Sequence, residues 1–272
     1  MRIGIAGLGL IGGSLALALK ERHDLHGFDV DAATRAAAAR AGVATVDRLT
    51  DLVPAEAVVV ATPLAAVLPT LAALAPVARG AVLLDVGSVR GPVDAFAREH
   101  PDAARIVGLH PMAGRSAHGF SAAEARLLAG HPFLIVPTTS ADADAMRIAG
   151  DIARGAGGVP TVCSAVEHDR IVAVLSALPL VLSAALAAVA ADAVPGRLAD
   201  VAGTGFRDAT RLALTPDDLA TQLLTANAAQ IVPALARLRE ILDEIERAVA
   251  ERDVNAVASL LARARAARES LD

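Results

Sequence analysis

Three glycines near the N-terminus have a spacing that is typical of a phosphate-binding turn. The segment "IAGLGLIGGS" contains Gly7, Gly9 and Gly12 between a β-rich run and a helical run. After a strand, such glycines allow a tight turn and the close approach of a pyrophosphate, and the helix N-terminus attracts the phosphate charge. The motif alone is weak, since a glycine-rich turn can simply pack a helix on a strand. The flanking runs favour dinucleotide binding, with Leu10 and Ile11 opening the helix at the phosphates.

A carboxylate follows the second strand-like run. Asp29 ends "LHGFD", 22 positions after Gly7. An acid at this place accepts hydrogen bonds from the adenosine ribose and repels a 2′-phosphate, so we expect NAD rather than NADP. The alternatives are a solvated loop acid and a preference weakened by the nearby Arg35.

Three further polar residues follow apolar runs, in "ATP", "DVGSVRG" and "GLHPMAG". Ligands of doubly wound sheets bind beyond the carboxyl ends of the strands, so Thr62, Pro63, Ser88 and His110 are expected to line the same edge as the glycine loop. Taken singly, Thr62 and Ser88 could be helix N-caps, and His110 could be an ordinary loop histidine.

His110 is the residue best suited to acid–base work. The usual pKa of histidine, near 6.5, suits the removal of a proton from an alcohol while hydride leaves for a nicotinamide. Ser88 could orient this base or bind the substrate hydroxyl. His118 lies in the same loop, "GLHPMAGRSAHGF", and could contact the substrate.

The elements that would position these residues follow from the apolar pattern. Residues 1–160 alternate strand-like and helical runs, which predicts an α/β, Rossmann-type doubly wound parallel sheet. Residues 161–272 contain only helical runs and predict an all-helical domain, which we expect to form a homodimer. The charge-free stretch Ile171–Ala191 is interpreted as a buried helix rather than a membrane span. The expected strands are "RIGIAG", "LHGFD", "AVVVAT", "AVLLDVGS", "RIVGLHP" and "PFLIVP".

Composition excludes several classes of function. The net charge of −5 and pI near 5.8 argue against nucleic-acid binding. Lys20 is the only lysine, which excludes P-loops and Schiff bases elsewhere in the chain. Cys163 is the only cysteine, so neither a disulfide framework nor a cysteine metal cluster is expected, and no metal site is predicted. The N-terminus lacks a signal-peptide pattern, and we expect a cytoplasmic protein.

The chain resembles the prephenate/arogenate dehydrogenase family of tyrosine biosynthesis. The resemblance runs nearly end to end, through "GLGLIGGS", "GFD", "ATP", "DVGSVRG", "GLHPMAG", "EHDR" and "GFRDATRLA". It implies a dinucleotide-binding domain followed by a helical dimerisation domain, with the active site between them. It also implies NAD-dependent oxidation of a cyclohexadienyl alcohol, prephenate or arogenate, with release of CO2.

The resemblance assigns roles by position. His110 matches the histidine that accepts the hydrogen bond of the ring hydroxyl, and Ser88 matches the serine beside it. Arg211 matches the arginine that binds a substrate carboxylate, a task that suits its planar fork. The alternative for Arg211 is a surface ion pair with Asp208. His168 and Asp169 match the "HD" of the central helix, where a structural role is expected.

Some positions depart from the family pattern. Ala177 and Leu180 stand where the family often has histidines, Ser116 stands where it often has glutamate, and His118 replaces a small residue. Ser116 and His118 are expected near the substrate side chain, so the choice between the keto-acid tail of prephenate and the amino-acid tail of arogenate stays open. Two other classes are considered. A β-hydroxyacid dehydrogenase is disfavoured because it needs a later lysine, and a non-catalytic dinucleotide sensor is disfavoured by His110, Ser88 and Arg211.

Overall fold

A computed structural model describes residues 1–100, 105–115 and 117–271. Within these ranges, eight strands form one sheet in the order β3-β2-β1-β4-β5-β6-β7-β8. Their bounds are β1 Arg2–Ala6, β2 Asp24–Phe28, β3 Ala44–Thr45, β4 Ala57–Val60, β5 Val82–Asp85, β6 Arg105–Pro111, β7 Pro132–Pro137 and β8 Val159–Val162.

The central strands are parallel and aligned. Ala6 pairs with both Phe28 and Val60, Val60 pairs with Asp85, and Asp85 pairs with Gly108. Because the strands run in one direction, their carboxyl ends meet at one edge of the sheet. The Rossmann-type fold expected from the sequence is therefore confirmed.

The last two strands differ from the sequence prediction. β7 runs antiparallel to β6, and β8 was not predicted. A parallel crossover usually needs a full helix, whereas the segment from residue 112 to 131 contains only the short 3₁₀ turn Phe120–Ala122 among its described residues, so the chain returns antiparallel. The two-residue strand β3 was also missed.

Helices cover the sheet and continue beyond it. The helices between the strands begin at the glycine loop, after Asp31, after Pro63, near Arg90 and after Asp142. Their bounds are α1 Leu10–Leu19, α2 Ala32–Arg40, α3 Leu64–Leu74, α4 Gly91–Glu99 and α5 Ala143–Gly155. The later helices are α6 Ala165–Val172, α7 Leu178–Ala193, α8 Leu198–Val201, α9 Thr204–Ala209, α10 Asp217–Ala226, α11 Ala228–Ala250 and α12 Val254–Glu269.

Two apolar cores lie on the two faces of the sheet. Along β1, Ile3 and Ile5 belong to one core with α1 and α5, and Ala6 belongs to the other with residues of α3 and α4. Alternate residues of a strand point to opposite faces, so both faces are buried and the strands are almost continuously apolar. A third cluster joins Val89, after β5, to Val172, Leu180 and Leu223.

The chain divides into two compact units, Met1–Asn227 and the residues from Ala228 onward. The second unit is a pair of helices, α11 and α12, joined by a turn in which Arg252 has φ 53° and Asp253 caps α12 by accepting from Ala256 N at 2.9 Å. The predicted domain boundary, between residues 160 and 161, lies within β8. The division into a dinucleotide-binding and a helical domain there stays a prediction.

One long apolar helix runs from Ala165 to Ala193. α6, a π-helical turn Ala173–Ala177 and α7 are continuous, and within the described part of the chain this is the one helix long and apolar enough to cross a membrane by length and composition. In the most apolar 18-residue stretch of this helix, 28% of the residues are buried. The full burial expected for Ile171–Ala191 is therefore not found within one chain, because Leu175, Leu182, Leu186 and Val189 are exposed.

Candidate active site

The predicted site residues lie along one edge of the sheet. The order β2-β1-β4-β5-β6 places Asp29, the glycine loop, Thr62, Ser88 and His110 at successive strand ends. Four interstrand spacings of about 4.8 Å separate the first strand from the last, roughly 19 Å in all. An elongated ligand along this edge would contact all of them.

The glycine loop forms a cradle that larger residues would fill. Gly7 has φ +93°, and a Cβ there would lie 2.5 Å from the carbonyl oxygen of Ala61. A Cβ on Gly12 would overlap the carbonyl oxygen of Gly7, while the space beside Gly9 is open. Gly9 is the N-cap of α1 and no side chain caps the helix, so backbone N–H groups of the first turn remain for an anion. The loop therefore fits a pyrophosphate.

Asp29 is attached to this loop. Its carboxylate accepts hydrogen bonds from Leu8 N at 2.8 Å and from Asp31 N at 2.9 Å. An ionised carboxylate has about four acceptor positions, so two ribose hydroxyls can still be accepted. The guanidinium of Arg35 donates to the carbonyl oxygen of Asp29 at 2.7 Å and lies 3.5 Å from Asp47. These contacts hold Asp29 in place and differ from those of a solvated loop acid.

Thr62 has a hydroxyl that is not used within the protein. The N-cap of α3 is Pro63, and Thr62 Oγ1 is buried with no hydrogen-bond partner in the described part of the chain. Capping does not account for Thr62. Gln222, on α10, accepts a hydrogen bond from Ala65 N at 3.0 Å and so binds one of the amides that begin α3.

The loop after β5 is held by a buried ion pair. Arg90 is 2% exposed and Asp85 is fully buried. One guanidinium nitrogen donates to Asp85 Oδ2 at 2.6 Å, and the other donates to Asp85 Oδ1 and, at 2.6 Å, to the carbonyl oxygen of Gly87. Ser88 lies within this loop. Its hydroxyl has no hydrogen-bond partner among the described residues, and the N-cap of α4 is Arg90 rather than Ser88.

His110 lies near the end of β6 and contacts a second histidine. His110 Nδ1 is 2.9 Å from His168 Nε2, and His168 Nδ1 is 2.8 Å from Asp169 Oδ1. His168 is fully buried. Orienting His110 is one of the two roles predicted for Ser88, but the ring contact that the structure provides comes from His168. The adjacent pair "HD" was the available signal, although sequence alone did not connect it to a histidine 58 positions away.

Asp169 joins α6 to the sheet edge. Its carboxylate also accepts hydrogen bonds from Arg90 N at 2.8 Å and Gly91 N at 3.0 Å, and its carbonyl oxygen accepts one from Asn227 Nδ2 at 2.8 Å. These bonds fit the structural role expected for this residue. Asp169 thus binds the first turn of α4 and the ring of His168 at once.

The surroundings set the charge of the two outer groups. Burial, followed by the neighbouring His168 and the positive charge of Arg90, lowers the pKa of His110 well below its usual value, so its imidazole is neutral at pH 7. Burial alone would raise the pKa of Asp169. The hydrogen bonds from His168, Arg90 N and Gly91 N outweigh that effect and lower it, so this carboxyl is ionised.

The predicted substrate-binding residues are less closely connected. Arg211 is exposed at the start of the 3₁₀ helix Arg211–Leu214, and neither the ion pair with Asp208 nor any other is found among the described residues. Leu212 packs against the cluster that contains Val89, next to Ser88. His118 is exposed, and Ser116 lies outside the described residues. No hydrogen bond among the described residues links Arg211 or His118 to His110.

The segment that carries His118 packs against the cofactor helix. Phe120 and Ala123 lie against Gly13 of α1, and Glu124 N donates to Ser14 Oγ at 3.1 Å. Arg115 pairs with Glu124 at 2.8 Å. Within the described residues no group of three or more His, Cys, Asp or Glu side chains could hold a metal ion.

Comparisons with known proteins agree with this geometry. The model of the prephenate dehydrogenase nucleotide-binding domain matches residues 15–162, and that of the prephenate dehydrogenase dimerization domain matches residues 164–263. A prephenate dehydrogenase of Bacillus subtilis is 30% identical over 92% of this chain and 70% of its own length. A cyclohexadienyl dehydrogenase of Zymomonas mobilis is 30% identical over 92% of this chain and 89% of its own.

Solved structures give the same result. The crystal structure of Synechocystis arogenate dehydrogenase has a TM-score of 0.87 and 30% identity, covering 100% of both chains. Prephenate dehydrogenase of Aquifex aeolicus, solved with hydroxyphenyl propionate and NAD+, has a TM-score of 0.91 at 21% identity over 100% of this chain and 99% of its own, which shows the shared fold. The resemblance found from the sequence is confirmed: the chain belongs to the prephenate dehydrogenase family and is an enzyme of that type.

Proposed function

We propose that this protein oxidises a cyclohexadienyl alcohol, prephenate or arogenate, with NAD as the hydride acceptor and with loss of CO2, in tyrosine biosynthesis. The observation that carries the proposal is the position of His110 on the edge that also bears the dinucleotide cradle. Burial lowers the pKa of this imidazole, which favours its neutral form. The named relatives act on substrates of this kind.

The cofactor would be held by groups along the edge. The first turn of α1, with Gly9, Leu10 and Ile11, faces the phosphates, and Thr62 and Pro63 line the middle of the edge. The carboxylate of Asp29 favours a free ribose over a phosphorylated one, which supports NAD over NADP. When bound, the nicotinamide ring supplies the acceptor for the hydride that leaves the alcohol carbon.

His110 handles the proton of the reaction. Its neutral ring accepts the proton of the ring hydroxyl as the alcohol is oxidised to a ketone. When the bond to CO2 breaks, the electron pair enters the ring and aromatises it, leaving a phenolate oxygen. The imidazolium returns its proton to that oxygen, so no proton is gained or lost overall. Ser88, whose hydroxyl has no hydrogen-bond partner among the described residues, is proposed to orient the substrate hydroxyl.

Arg211 is proposed to bind a substrate carboxylate. Its guanidinium has no acid partner in the described part of the chain, and its planar fork pairs with a carboxylate through two hydrogen bonds. Ser116 and His118 are proposed to contact the side chain of the substrate, which is a keto acid in prephenate and an amino acid in arogenate.

Steady-state kinetics with the four combinations of prephenate or arogenate and NAD+ or NADP+ test the function. We expect turnover of at least one substrate, with NAD+ preferred. His110→Ala should lower kcat about 10²–10⁴-fold, and Arg211→Ala should mainly raise KM. An unchanged kcat in His110→Ala would refute the assigned base. Absence of turnover with both substrates, together with dinucleotide binding, would favour the non-catalytic sensor.

A second copy of the chain is the proposed partner. Leu175, Leu182, Leu186 and Val189 recur at intervals of seven, four and three residues, so they lie on one face of the α6–α7 helix. All four are at least 41% exposed, and the second family model describes a dimerization domain. We therefore propose a homodimer through the helical region from residue 161, a cytoplasmic location, and neither membrane nor nucleic-acid partners.

Light scattering combined with size-exclusion chromatography tests the dimer. The wild-type chain should elute as a dimer, and Leu186→Arg should shift the population towards monomer because it places a charge in an apolar contact. An equivalent change at the exposed Val30, which follows β2, is the control. A wild-type monomer at micromolar concentration would contradict the proposal.

A further inference from the structure

Two buried residues outside the predicted catalytic set form a continuous chain with His110. Asp169, His168 and His110 are joined by contacts of 2.8 and 2.9 Å. His168 is fully buried and Asp169 is 7% exposed. This hydrogen-bonded series starts on α6 and ends on β6, so it connects the helix to the edge of the sheet.

With His168 neutral, the chemistry of the three groups fixes where the hydrogens lie. An ionised carboxylate only accepts hydrogen bonds, so Nδ1 of His168 must carry a hydrogen. A neutral His168 then has its lone pair on Nε2. His110 must therefore donate from Nδ1, and its own lone pair is left on Nε2.

We propose that His168 and Asp169 are positioning residues that select the tautomer of His110 whose Nε2 accepts the substrate proton. The inference rests on the proposed function for its consequence in catalysis, but the tautomer itself is a property of the protein without substrate. The opposite tautomer carries a hydrogen on Nε2 and cannot act as the base.

The positions of the ring hydrogens also predict how the site loses activity in acid. One added proton binds the free Nε2 of His110. The hydrogen shared between the two rings can then lie on either His110 Nδ1 or His168 Nε2, and in both cases His110 Nε2 carries a hydrogen. Protonation of Nε2 therefore removes the acceptor that the substrate hydroxyl needs. The charged groups around the pair are Asp169 on α6 and Arg90 on the loop after β5, and Arg90 is itself paired with the buried Asp85.

His168 and Asp169 also stabilise the charged form of His110. When Nε2 takes a proton, the bond from Nδ1 to His168 becomes charge-assisted, and the ionised Asp169 offsets the new charge one ring away. The position of α6 is fixed independently, because Ser164 caps it through Glu167 N at 3.2 Å and Asp169 binds the two amides that begin α4.

Substitutions at His168 separate this role from a structural one. The side-chain oxygen of glutamine can occupy the place of Nε2 and accept from His110, whereas leucine cannot. We expect His168→Leu to lower kcat about 10²–10⁴-fold, the range for loss of a correctly prepared base. His168→Gln should stay within about tenfold of wild type. The exposed His131, changed to leucine and to glutamine, is the matched control.

Nitrogen-15 spectra of the histidine rings of the substrate-free protein provide the decisive readout. At neutral pH, His110 should carry its hydrogen on Nδ1, with Nε2 unprotonated, and His168→Leu should mix the two tautomers. A hydrogen on Nε2 of His110 in the wild-type protein would overturn the inference, as would equal kcat values for the leucine and glutamine variants. Failure of the proposed substrates would leave the spectra unaffected, so the two ideas fail separately.

Discussion

Removal of Arg90 should destabilise the protein more than any exposed charge does. The guanidinium is 2% exposed and makes its hydrogen bonds to the fully buried Asp85 and to Gly87. Arg90→Met keeps a long side chain but leaves the carboxylate of Asp85 buried without its partner. Breaking a buried pair in this way typically costs about 3–5 kcal/mol. For a domain of this size that corresponds to a fall in Tm of roughly 6–20 °C.

Two controls separate the buried charge from other effects. Arg98→Met, on the helix that Arg90 precedes, removes a pair between the exposed Arg98 and the partly exposed Asp94, and should cost less than about 1 kcal/mol. The double variant Asp85→Asn with Arg90→Met removes both charges and should recover more than half of the loss, because no uncompensated charge remains.

Urea unfolding followed by circular dichroism measures these values, since the chain has neither tryptophan nor tyrosine to report by fluorescence. In Arg90→Met the pKa of His110 should rise, because the positive charge of Arg90 is removed. The acid limb of the rate profile should therefore move to higher pH. A loss below 1 kcal/mol for Arg90→Met, or a double variant less stable than the single one, would refute the reasoning.

Three further predictions follow from local contacts. Gly7→Ala should abolish measurable NAD+ binding by calorimetry, because its Cβ meets a backbone oxygen; Gly80→Ala, with φ +84° and open space around it, carries only the backbone strain of about 1–3 kcal/mol and should bind normally. Between the lowered folded pKa and the unfolded pKa of His110, the unfolded state holds a proton that the native state lacks, so the free energy of unfolding should rise with pH below about 6.5 by up to about 1.4 kcal/mol per pH unit. His110→Asn should flatten that slope in urea titrations at several pH values, and an unaltered slope would contradict the assignment. Ser183→Ala should cost about 1–3 kcal/mol, because it leaves the carbonyl oxygen of Ala209 without the donor that lies 2.7 Å away; a loss within experimental error would show that water replaces it.

The parts of the fold that depend on local pattern were predictable. Six strands were identified from apolar runs, because a strand covered on both faces needs apolar residues at nearly every position. The glycine loop was predictable because its geometry is set within ten residues. The parallel order of the central strands then followed from the alternation of strands and helices.

What the sequence could not predict depends on distant partners. The contact of His110 with His168 joins positions 58 apart, and that of Ala65 with Gln222 joins positions 157 apart. The reversal of β7 depends on how the segment after β6 packs. The exposure of Leu182 and Leu186 depends on which face of a uniformly apolar helix packs against the rest of the protein. Apolar content alone does not distinguish these faces.

The segment between β6 and β7 has a consequence for the origin of new specificities. It carries His118, its described residues belong to no parallel strand pair, and it contacts α1 where Phe120 and Ala123 lie against Gly13. A graft of this segment from a relative could exchange the groups proposed to contact the tail of the substrate without disturbing β6, which carries His110, or the loop after β5, which carries Ser88. Such a chimera must keep Gly13, however, because any larger residue there would push the transplanted loop off its support.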